Sequence, residues 1–377
     1  MTLYATRIHA DTATLTVVSH DQGVASWAAR YFGPWWYASG VEALGPDDSA
    51  DGDAVVFADV NPRLAGSIAA LVAEDVHDET EYAGTRTLVA RRGSITYAVQ
   101  PDEELAYQVD SRRLVVAGHQ AEPVAVAAAR LVRESVRGRL ARAGWTVLHA
   151  SAATRDGKAV IALGGRGTGK TTTAVLLARS GWGLLANDRV FARLEEDGGV
   201  AILPWPSAAA VGIGLLDAIG RYDSVRARLA EGERLHPTQH PAVTRALVDG
   251  RREPLRRQDE RELKAQFFPD QLADWLGLGL SAEARVAGLL LPRISPMATA
   301  ALAEDDHEPS EADVFPTGKE DRYPDVFGLL PATGAPGVAA LAEHLAGLPR
   351  RSVVLGHDAE ASGALLAKVA DELTAAP

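Results

Sequence analysis

A glycine-rich segment between two apolar stretches restricts the fold of this chain more than any other feature. The segment comprises Gly164, Gly165, Arg166, Gly167, Thr168, Gly169, Lys170 and Thr171. It follows the apolar run 159–163 and precedes the apolar stretch 172–179, so the pattern predicts a strand, a tight turn and the start of a helix. The spacing of its glycines, lysine and threonine is that of a phosphate-binding P-loop.

The residue types in this segment are chemically suited to bind phosphate. Glycine permits positive φ, so successive N–H groups can turn toward phosphate oxygens at the positive end of the helix dipole. We expect Lys170 to reach the β- and γ-phosphates and the Thr171 hydroxyl to ligate Mg²⁺. Arg166 either contacts phosphate or is simply exposed. The predicted nucleotide-binding residues are Gly164, Gly165, Arg166, Gly167, Thr168, Gly169, Lys170, Thr171 and Thr172.

Composition excludes several classes of function. The chain has 377 residues, of which 47% are hydrophobic and 23% are charged, as expected for a globular protein with a substantial core. Its formal net charge of -12 argues against a nucleic-acid partner, because a phosphate backbone requires clustered Lys and Arg. There are 0 cysteines, which excludes disulfides, cysteine-ligated zinc and thiol catalysis.

The distribution of apolar residues bears on the expected location of the protein. No stretch approaches the roughly 20 apolar residues of a membrane span, so we expect no membrane partner. The first twenty residues include Arg7 and Asp11 and lack a long apolar run, so they do not resemble a signal peptide. The expected location is therefore cytoplasmic.

The pattern of strands and helices predicts two domains. Residues 1–118 form an N-terminal α+β domain, with a helix over 61–76 and a possible role in substrate recognition. Residues 119–377 form the nucleotide-binding domain, into which a helix over 123–142 leads. The aromatic residues between Trp27 and Tyr37 are expected to serve core packing, packing between domains or ligand stacking. An acidic stretch from Glu304 to Pro324 is expected to be a loop.

Polar residues flank the predicted P-loop on both sides. His149 lies in a strand pattern over 146–152, which a short hairpin connects to the P-loop strand. After the following helix, an apolar strand ends at Asn187 and Asp188. An acidic side chain at such a strand end can hold Mg²⁺ or its waters opposite the loop. Thr171 and Asp188 are therefore the predicted metal ligands.

The order of His149, the P-loop and Asn187-Asp188 resembles the kinase domain of HPr kinase/phosphorylase and its relatives, which include serine kinases of peptide natural-product pathways. The resemblance covers residues 145–205. It implies an α/β fold, with a P-loop (HPr kinase/PEP carboxykinase-like) mixed-sheet domain behind the N-terminal α+β domain. It also implies a kinase that uses ATP and Mg²⁺, with Asp188, Lys170 and His149 as catalytic residues. GTP is not excluded, and hexamers among the relatives make a homo-oligomer possible.

Asn187 departs from the family pattern. Two adjacent aspartates follow this strand in the family, and the first is taken as the general base, whereas the amide of Asn187 cannot accept a proton at neutral pH. Either Asp188 serves as both metal contact and base, or transfer proceeds with little base assistance, or nucleotide binds without turnover. His149 orients the acid, binds phosphate, or is an ordinary histidine satisfied by a neighbour.

The acceptor is a hydroxyl in each of the two catalytic hypotheses. The first is a serine or threonine of a peptide or small protein, and the second is a hydroxylated small metabolite. The third hypothesis is a nucleotide-binding regulatory module in which the Asn187 substitution marks lost catalysis.

Overall fold

Runs of strands separated by helices make up most of the chain in the computed structural model, which describes residues 2–41, 54–111, 113–258, 261–303, 324–332 and 337–375. Contacts divide these residues into two units. The first holds the described residues up to Trp145 together with 324–332, and the second holds the others. Each unit contains a large sheet with both parallel and antiparallel pairs, so the predicted mixed α/β class is confirmed. The acidic stretch predicted as a loop lies outside the described residues over 304–323.

The first unit consists of one sheet and the helices that cover it. Its strands are β1 (Tyr4–Ala10), β2 (Ala13–Ser19), β3 (Ser39–Val41), β4 (Ala54–Val60), β5 (His77–Tyr82), β6 (Thr85–Arg92), β7 (Ile95–Gln100), β8 (Leu105–Val109) and β9 (Arg113–Gly118). Its α-helices are α1 (Gln22–Phe32), α2 (Pro62–Glu74) and α3 (Ala121–Arg142). The strand order is β3-β1-β2-β4-β9-β8-β7-β6-β5, with parallel pairs at β2–β4 and β4–β9.

Side-chain caps and apolar stripes fix the first two helices. Asp21 accepts hydrogen bonds from the N–H groups of Gly23 and Val24 at the start of α1, which satisfies donors that have no partner within a helix. Asn61 caps α2 in the same way. The predicted aromatic cluster packs in the core, since Trp36 is buried and stacks on Phe32 with ring centroids 5.2 Å apart.

Helix α3 belongs to the first unit. The sequence predicts a helix over 123–142 that leads into the second domain, with the boundary at residue 118. Instead, α3 packs against α1, β2, β4 and β9, and this unit extends to Trp145. A helix rich in buried Ala and Val can pack on any apolar sheet face, and α3 covers that of the first unit.

The second unit contains the glycine-rich loop. Its strands are β10 (Thr146–Leu148), β11 (Ser151–Arg155), β12 (Lys158–Ala162), β13 (Gly183–Ala186), β14 (Val190–Leu194), β15 (Val200–Pro204), β16 (Ala209–Val211), β17 (Leu255–Arg256), β18 (Glu262–Leu263), β19 (Ala265–Phe267), β20 (Ala284–Ile294), β21 (Ala301–Leu302) and β22 (Arg350–Leu355). Its helices are α4 (Lys170–Arg179), α5 (Ile213–Ala218), α6 (Tyr222–Ala230), α7 (Pro241–Val248), α8 (Pro269–Asp274), α9 (Val338–Gly347) and α10 (Ala359–Ala375).

The main sheet of this unit has the order β10-β14-β15-β20-β12-β11-β13, and β22 joins it by pairing with β20. Strand β12 lies inside the sheet, parallel to β20 and antiparallel to β11. Its apolar residues are buried among those of β11, β13, β14, β20 and α9. Burying one such large aliphatic side chain stabilises a fold by about 1.5–3 kcal/mol, so the sheet is a firm base for the loop that follows β12.

Strand directions bring several chain segments to one edge of this sheet. Strands β12, β20 and β22 run parallel, so their carboxyl ends lie at the same edge. Strand β11 is antiparallel to β12 and begins at that edge, and β13 ends there. This edge therefore collects the glycine-rich loop, the start of β11, and the segments that follow β13, β20 and β22.

Among the described residues, no helix is both long enough and apolar enough to cross a lipid bilayer.

Candidate functional site

The glycine-rich loop, Gly164–Thr171, connects the carboxyl end of β12 to the first turn of α4. Three of its glycines have positive φ, with values of 126° at Gly164, 81° at Gly167 and 112° at Gly169. Such angles are uncommon for residues that carry a Cβ, which explains the glycines. The loop is exposed at its tip and ends at a helix N-terminus, so its N–H groups are available to an anion.

Lys170 is buried and turns back over the loop. Its Nζ donates hydrogen bonds to the carbonyl oxygens of Gly164 at 2.6 Å and Gly165 at 3.0 Å. Only 7% of the residue is exposed, so a positive charge with little access to water is held at the mouth of the loop. An anion there would interact with Lys170 more strongly than it would in bulk water. The loop therefore fits a phosphate group.

Two hydroxyl groups attach the start of α4 to neighbouring strands. The Thr171 hydroxyl donates to the carbonyl oxygen of Asn187 at 3.1 Å, directly after β13. The hydroxyl of Ser151, the first residue of β11, donates to the carbonyl oxygen of Lys170 at 2.6 Å. These bonds fix the position of α4 relative to the segment that carries the predicted acid.

The other loop residues differ in exposure. Arg166 is exposed at the tip, and Thr172 is half-buried in the first turn of α4. The Thr168 hydroxyl donates to the carbonyl oxygen of Gly165 at 3.0 Å, which holds the turn closed.

Asp188 lies between a histidine and an arginine. His149 Nε2 is 3.3 Å from Asp188 Oδ1, and Arg189 Nε is 3.8 Å from Oδ2. The side chains of His149 and Arg189 are 15% and 8% exposed, whereas that of Asp188 is 53% exposed. The carboxylate is thus contacted on one side by the half-buried His149 and the buried Arg189, and its other side is open to solvent.

His149 is not inside a strand. The sequence pattern predicts one strand over 146–152, but the structure divides it into β10 and β11, with His149 and Ala150 between them. The two short strands have different partners, since β10 pairs with β14 and β11 pairs with β12 and β13. The interruption turns the His149 side chain toward Asp188.

The charges around Asp188 hold its pKa low. Partial desolvation raises the pKa, but the hydrogen bond from His149, together with the charges of His149, Arg189 and Lys170, outweighs it and lowers the pKa from 3.8 to about 2. Asp188 is therefore ionised throughout the physiological pH range. An ionised carboxylate is suited to bind a divalent cation or to accept a hydrogen bond from a hydroxyl group.

Replacing His149 with alanine is expected to raise the pKa of Asp188 from about 2 toward 3.8, because the variant loses the main group that stabilises the carboxylate. A pH titration of the Asp188 carboxyl carbon by NMR measures this. His9→Ala, which removes an exposed histidine in the first unit, is the control and should leave the titration unchanged. An unchanged Asp188 pKa in His149→Ala would show that the histidine does not act on the acid.

The lowered pKa also predicts how stability depends on pH. Folding lowers the pKa of Asp188, so its ionised form contributes stability above about pH 3.8, and this contribution disappears as the pH falls through about 2. In His149→Ala, where the pKa of folded Asp188 moves toward 3.8, this pH-dependent contribution to stability should become smaller.

Asn187 is buried beside the acid, with 7% of the residue exposed. Because its carbonyl oxygen accepts the Thr171 hydrogen bond, its backbone is held against α4. Its side chain is an amide and cannot serve as the base, so Asp188 is the carboxylate of this segment.

Gly169 is surrounded by apolar side chains from the ends of β20 and β22. A Cβ at this position would lie 2.9 Å from Ile294 Cδ1 and 3.7 Å from Leu355 Cδ1. The first distance is shorter than van der Waals contact, so a Cβ here would displace the end of the Ile294 side chain, and the positive φ of Gly169 favours glycine as well.

Substituting Gly169 with alanine is expected to destabilise the fold by about 1–2 kcal/mol, the cost of a left-handed backbone for a residue with a Cβ. Thermal unfolding measures the effect. The matched control is Gly165→Ala in the same loop, where a Cβ would meet no atom within 4 Å and φ is not in the left-handed region. Equal melting temperatures for the two variants would contradict the structure of the loop.

The metal would have two protein ligands at this site. Thr171 and Asp188 lie on adjacent segments, joined through the Thr171–Asn187 hydrogen bond. In the described part of the chain, no group of three or more His, Cys, Asp or Glu side chains could hold a metal by itself. A Mg²⁺ ion bound by Thr171 and Asp188 would therefore depend on phosphate oxygens and water for its other ligands, as is usual for this ion.

The sequence predicts some of the residues at this edge of the sheet and not others. The structure brings Lys170, Thr171, Asn187, Asp188 and His149 together, as their order along the chain indicates. It adds Ser151, Arg189 and Ile294, which the motifs did not identify. Ser151 and Arg189 directly border the two polar segments, so neighbouring polar residues were a usable signal. No sequence signal pointed to Ile294, because its contact with Gly169 depends on the pairing of β12 with β20.

No protein-family model matches the chain, and no curated protein matches it.

Proposed function

We propose that this protein is a kinase that transfers the γ-phosphate of ATP to a hydroxyl group, with Mg²⁺ as cofactor and an HPr kinase-like P-loop domain as its catalytic unit. One observation carries the proposal: a glycine-rich loop with a buried lysine and an ionised, histidine-bound aspartate meet at one edge of a sheet. A phosphate site and a carboxylate side by side are the minimum that phosphoryl transfer requires.

The loop would hold the phosphates of the nucleotide. Its exposed N–H groups and the Lys170 ammonium supply positive charge at positions fixed by the hydrogen bonds of Ser151 and Thr171. Phosphoryl transfer passes through a loose transition state in most analyses, so positioning and charge neutralisation give most of the acceleration. Mg²⁺ held by Thr171 and Asp188 would supply further neutralisation of the phosphate oxygens.

Lys170 must change its hydrogen-bond partners when the phosphates bind in the loop. Its Nζ is bound to the carbonyl oxygens of Gly164 and Gly165, which are neutral acceptors. A phosphate oxygen carries negative charge and forms the stronger hydrogen bond with an ammonium group. Binding of the nucleotide is therefore expected to draw Lys170 away from the loop carbonyls.

Asp188 would orient the acceptor hydroxyl. In the reaction, the hydroxyl oxygen forms a bond to the γ-phosphorus, the bond between that phosphorus and the bridging oxygen breaks, and ADP leaves. The hydroxyl proton passes to Asp188 or to solvent. A carboxylate with a pKa of about 2 is a weak proton acceptor, so its main contribution is a hydrogen bond that aims the hydroxyl oxygen at phosphorus. His149 and Arg189 keep the carboxylate in place.

A second candidate function is nucleotide binding without turnover. Asn187 favours it, because an amide occupies the position at which the resembled family has its first aspartate. The two functions make opposite predictions for the wild-type protein, since only a kinase consumes ATP in the presence of an acceptor.

The test is an incubation of the protein with ATP labelled in the γ-phosphate, Mg²⁺ and a panel of acceptors. The panel contains serine and threonine peptides and hydroxylated small metabolites. Label transferred to a peptide supports a peptide or protein kinase, and label transferred to a metabolite supports a metabolite kinase. Tight nucleotide binding with no transfer to any acceptor contradicts both and favours the binding module.

A further inference from the structure

Polar and apolar groups lie on opposite sides of the glycine-rich loop. The strand order β20-β12-β11-β13 places β11 and β13 on one side of the strand that leads into the loop and β20 on the other. Asp188 follows β13, and His149 precedes β11. Ile294 ends β20, and β22 lies beyond it. The site thus has an ionic side and an apolar side.

The apolar side is in direct contact with the loop. A Cβ on Gly169 would lie 2.9 Å from the Cδ1 of Ile294, so the two residues are close neighbours, yet 37% of Ile294 remains exposed. An isoleucine that borders a candidate phosphate site and is open to solvent gives the adjoining space an apolar wall.

The segment that follows Ile294 packs on the end of β22. After Ile294 the chain turns and crosses the carboxyl end of β22, where Ser295 N–H donates to the carbonyl oxygen of Leu355 at 2.9 Å and Ala298 N–H donates to that of Ser295 at 3.0 Å. A Cβ on Gly356 would clash with the carbonyl oxygen of Ala298, so the crossing lies tightly on the strand end. Met297 stands at the tip of this turn, 96% exposed.

We infer that Ile294 and Met297 contact the purine base of the nucleotide whose phosphates occupy the glycine-rich loop. The inference rests on the proposed function and assigns the two ends of the ligand: the γ-phosphate lies toward Asp188 and the base toward β20. A purine ring has apolar faces, which gain from contact with an aliphatic side chain and with the polarisable sulfur of methionine. A flexible methionine on an anchored turn can adjust to the ring.

The experiment compares two ligands that differ only in whether they carry a nucleoside. Dissociation constants for ATP and for inorganic tripolyphosphate are measured by calorimetry in the presence of Mg²⁺. The wild-type protein is expected to bind ATP more tightly than tripolyphosphate. Met297→Ser should weaken ATP binding about fivefold, the middle of the range for a methionine–aromatic contact, and leave tripolyphosphate binding unchanged.

Three further variants complete the test. Ile294→Ala should have the same selective effect on ATP, and Met297→Leu should retain the wild-type constants because it keeps an apolar side chain. Val76→Ser, at a site that is 92% exposed in the first unit, is the matched control and should change neither constant. Since Met297 has little packing to lose, Met297→Ser is expected to fold normally.

The outcomes separate this inference from the proposed function. If the protein binds tripolyphosphate and ATP equally, or if Met297→Ser and Ile294→Ala leave ATP binding intact, the base does not contact this wall, while the phosphate site stands. If both ligands lose affinity equally in the variants, the side chains support the loop instead of the base. If the wild-type protein binds neither ligand, the proposed function fails and the inference fails with it.

Discussion

Replacing Lys170 with alanine is expected to lower kcat by about 10²–10³-fold, the usual cost of removing one preorganised group that stabilises transition-state charge. Lys170 is the buried cation at the mouth of the loop, and its Nζ is bound to loop carbonyls that a phosphate would replace. The variant should also bind ATP more weakly. Rates of label transfer and calorimetric binding constants measure the two effects.

Lys158→Ala is the matched control for this prediction. Lys158 begins β12, at the end of the strand remote from the loop, and its Nζ donates to the carbonyl oxygen of Thr374 at 2.6 Å. The control removes the same charge from the same strand–loop unit and should leave the rate unchanged. Thermal unfolding shows whether Lys170→Ala remains folded. A folded Lys170→Ala variant with a wild-type rate would remove Lys170 from the mechanism.

Asp188→Asn is expected to lower the rate of transfer by about 10²-fold, the lower end of the range for loss of a general base or its equivalent. The value lies at the lower end because the pKa of about 2 makes Asp188 a weak proton acceptor, so the variant loses mainly orientation and a metal ligand. Because the variant loses a metal ligand, it should also require more Mg²⁺. Transfer rates measured across a Mg²⁺ titration show both effects.

A double variant separates the position of the carboxylate from its charge. Asn187→Asp/Asp188→Asn keeps one carboxylate and the same net charge but moves it by one residue. We expect this variant to be as slow as Asp188→Asn, because His149 and Arg189 surround position 188 and not position 187. A double variant as active as the wild type would show that either position can serve, and the role given to His149 would then be wrong.

The sequence predicts the local parts of this structure better than their assembly. The strand–loop–helix unit around Gly164–Thr171 could be found because glycine spacing and apolar runs report on the conformation of neighbouring residues. The placement of α3 could not, since an Ala- and Val-rich helix fits an apolar sheet face in either unit. The break between β10 and β11 at His149 could not be predicted for a similar reason. The residues on both sides favour strands, and only the pairing of β10 and β11 with different partners separates the two strands.

The residues of the candidate site also divide into those that the sequence predicts and those that only the fold shows. Chain order indicated Lys170, Thr171 and Asp188, because the carboxyl ends of strands around a glycine-rich loop meet at one edge. The contact of Ile294 with Gly169 links positions more than a hundred residues apart and depends on the register of β12 against β20. No local pattern carries that information, so the apolar side of the site became visible only in the fold.

The proposed mechanism requires the glycine-rich loop and Asp188 to act on the same phosphate group. A crystal structure of the protein with Mg²⁺ and a non-hydrolysable ATP analogue tests it most directly. We expect the β- and γ-phosphates to lie in the loop Gly164–Thr171, Lys170 to have left the carbonyl oxygens of Gly164 and Gly165, and the Asp188 carboxylate to face the γ-phosphate. Phosphates bound away from this loop, or a γ-phosphate faced by Asn187 with Asp188 turned away, would contradict it.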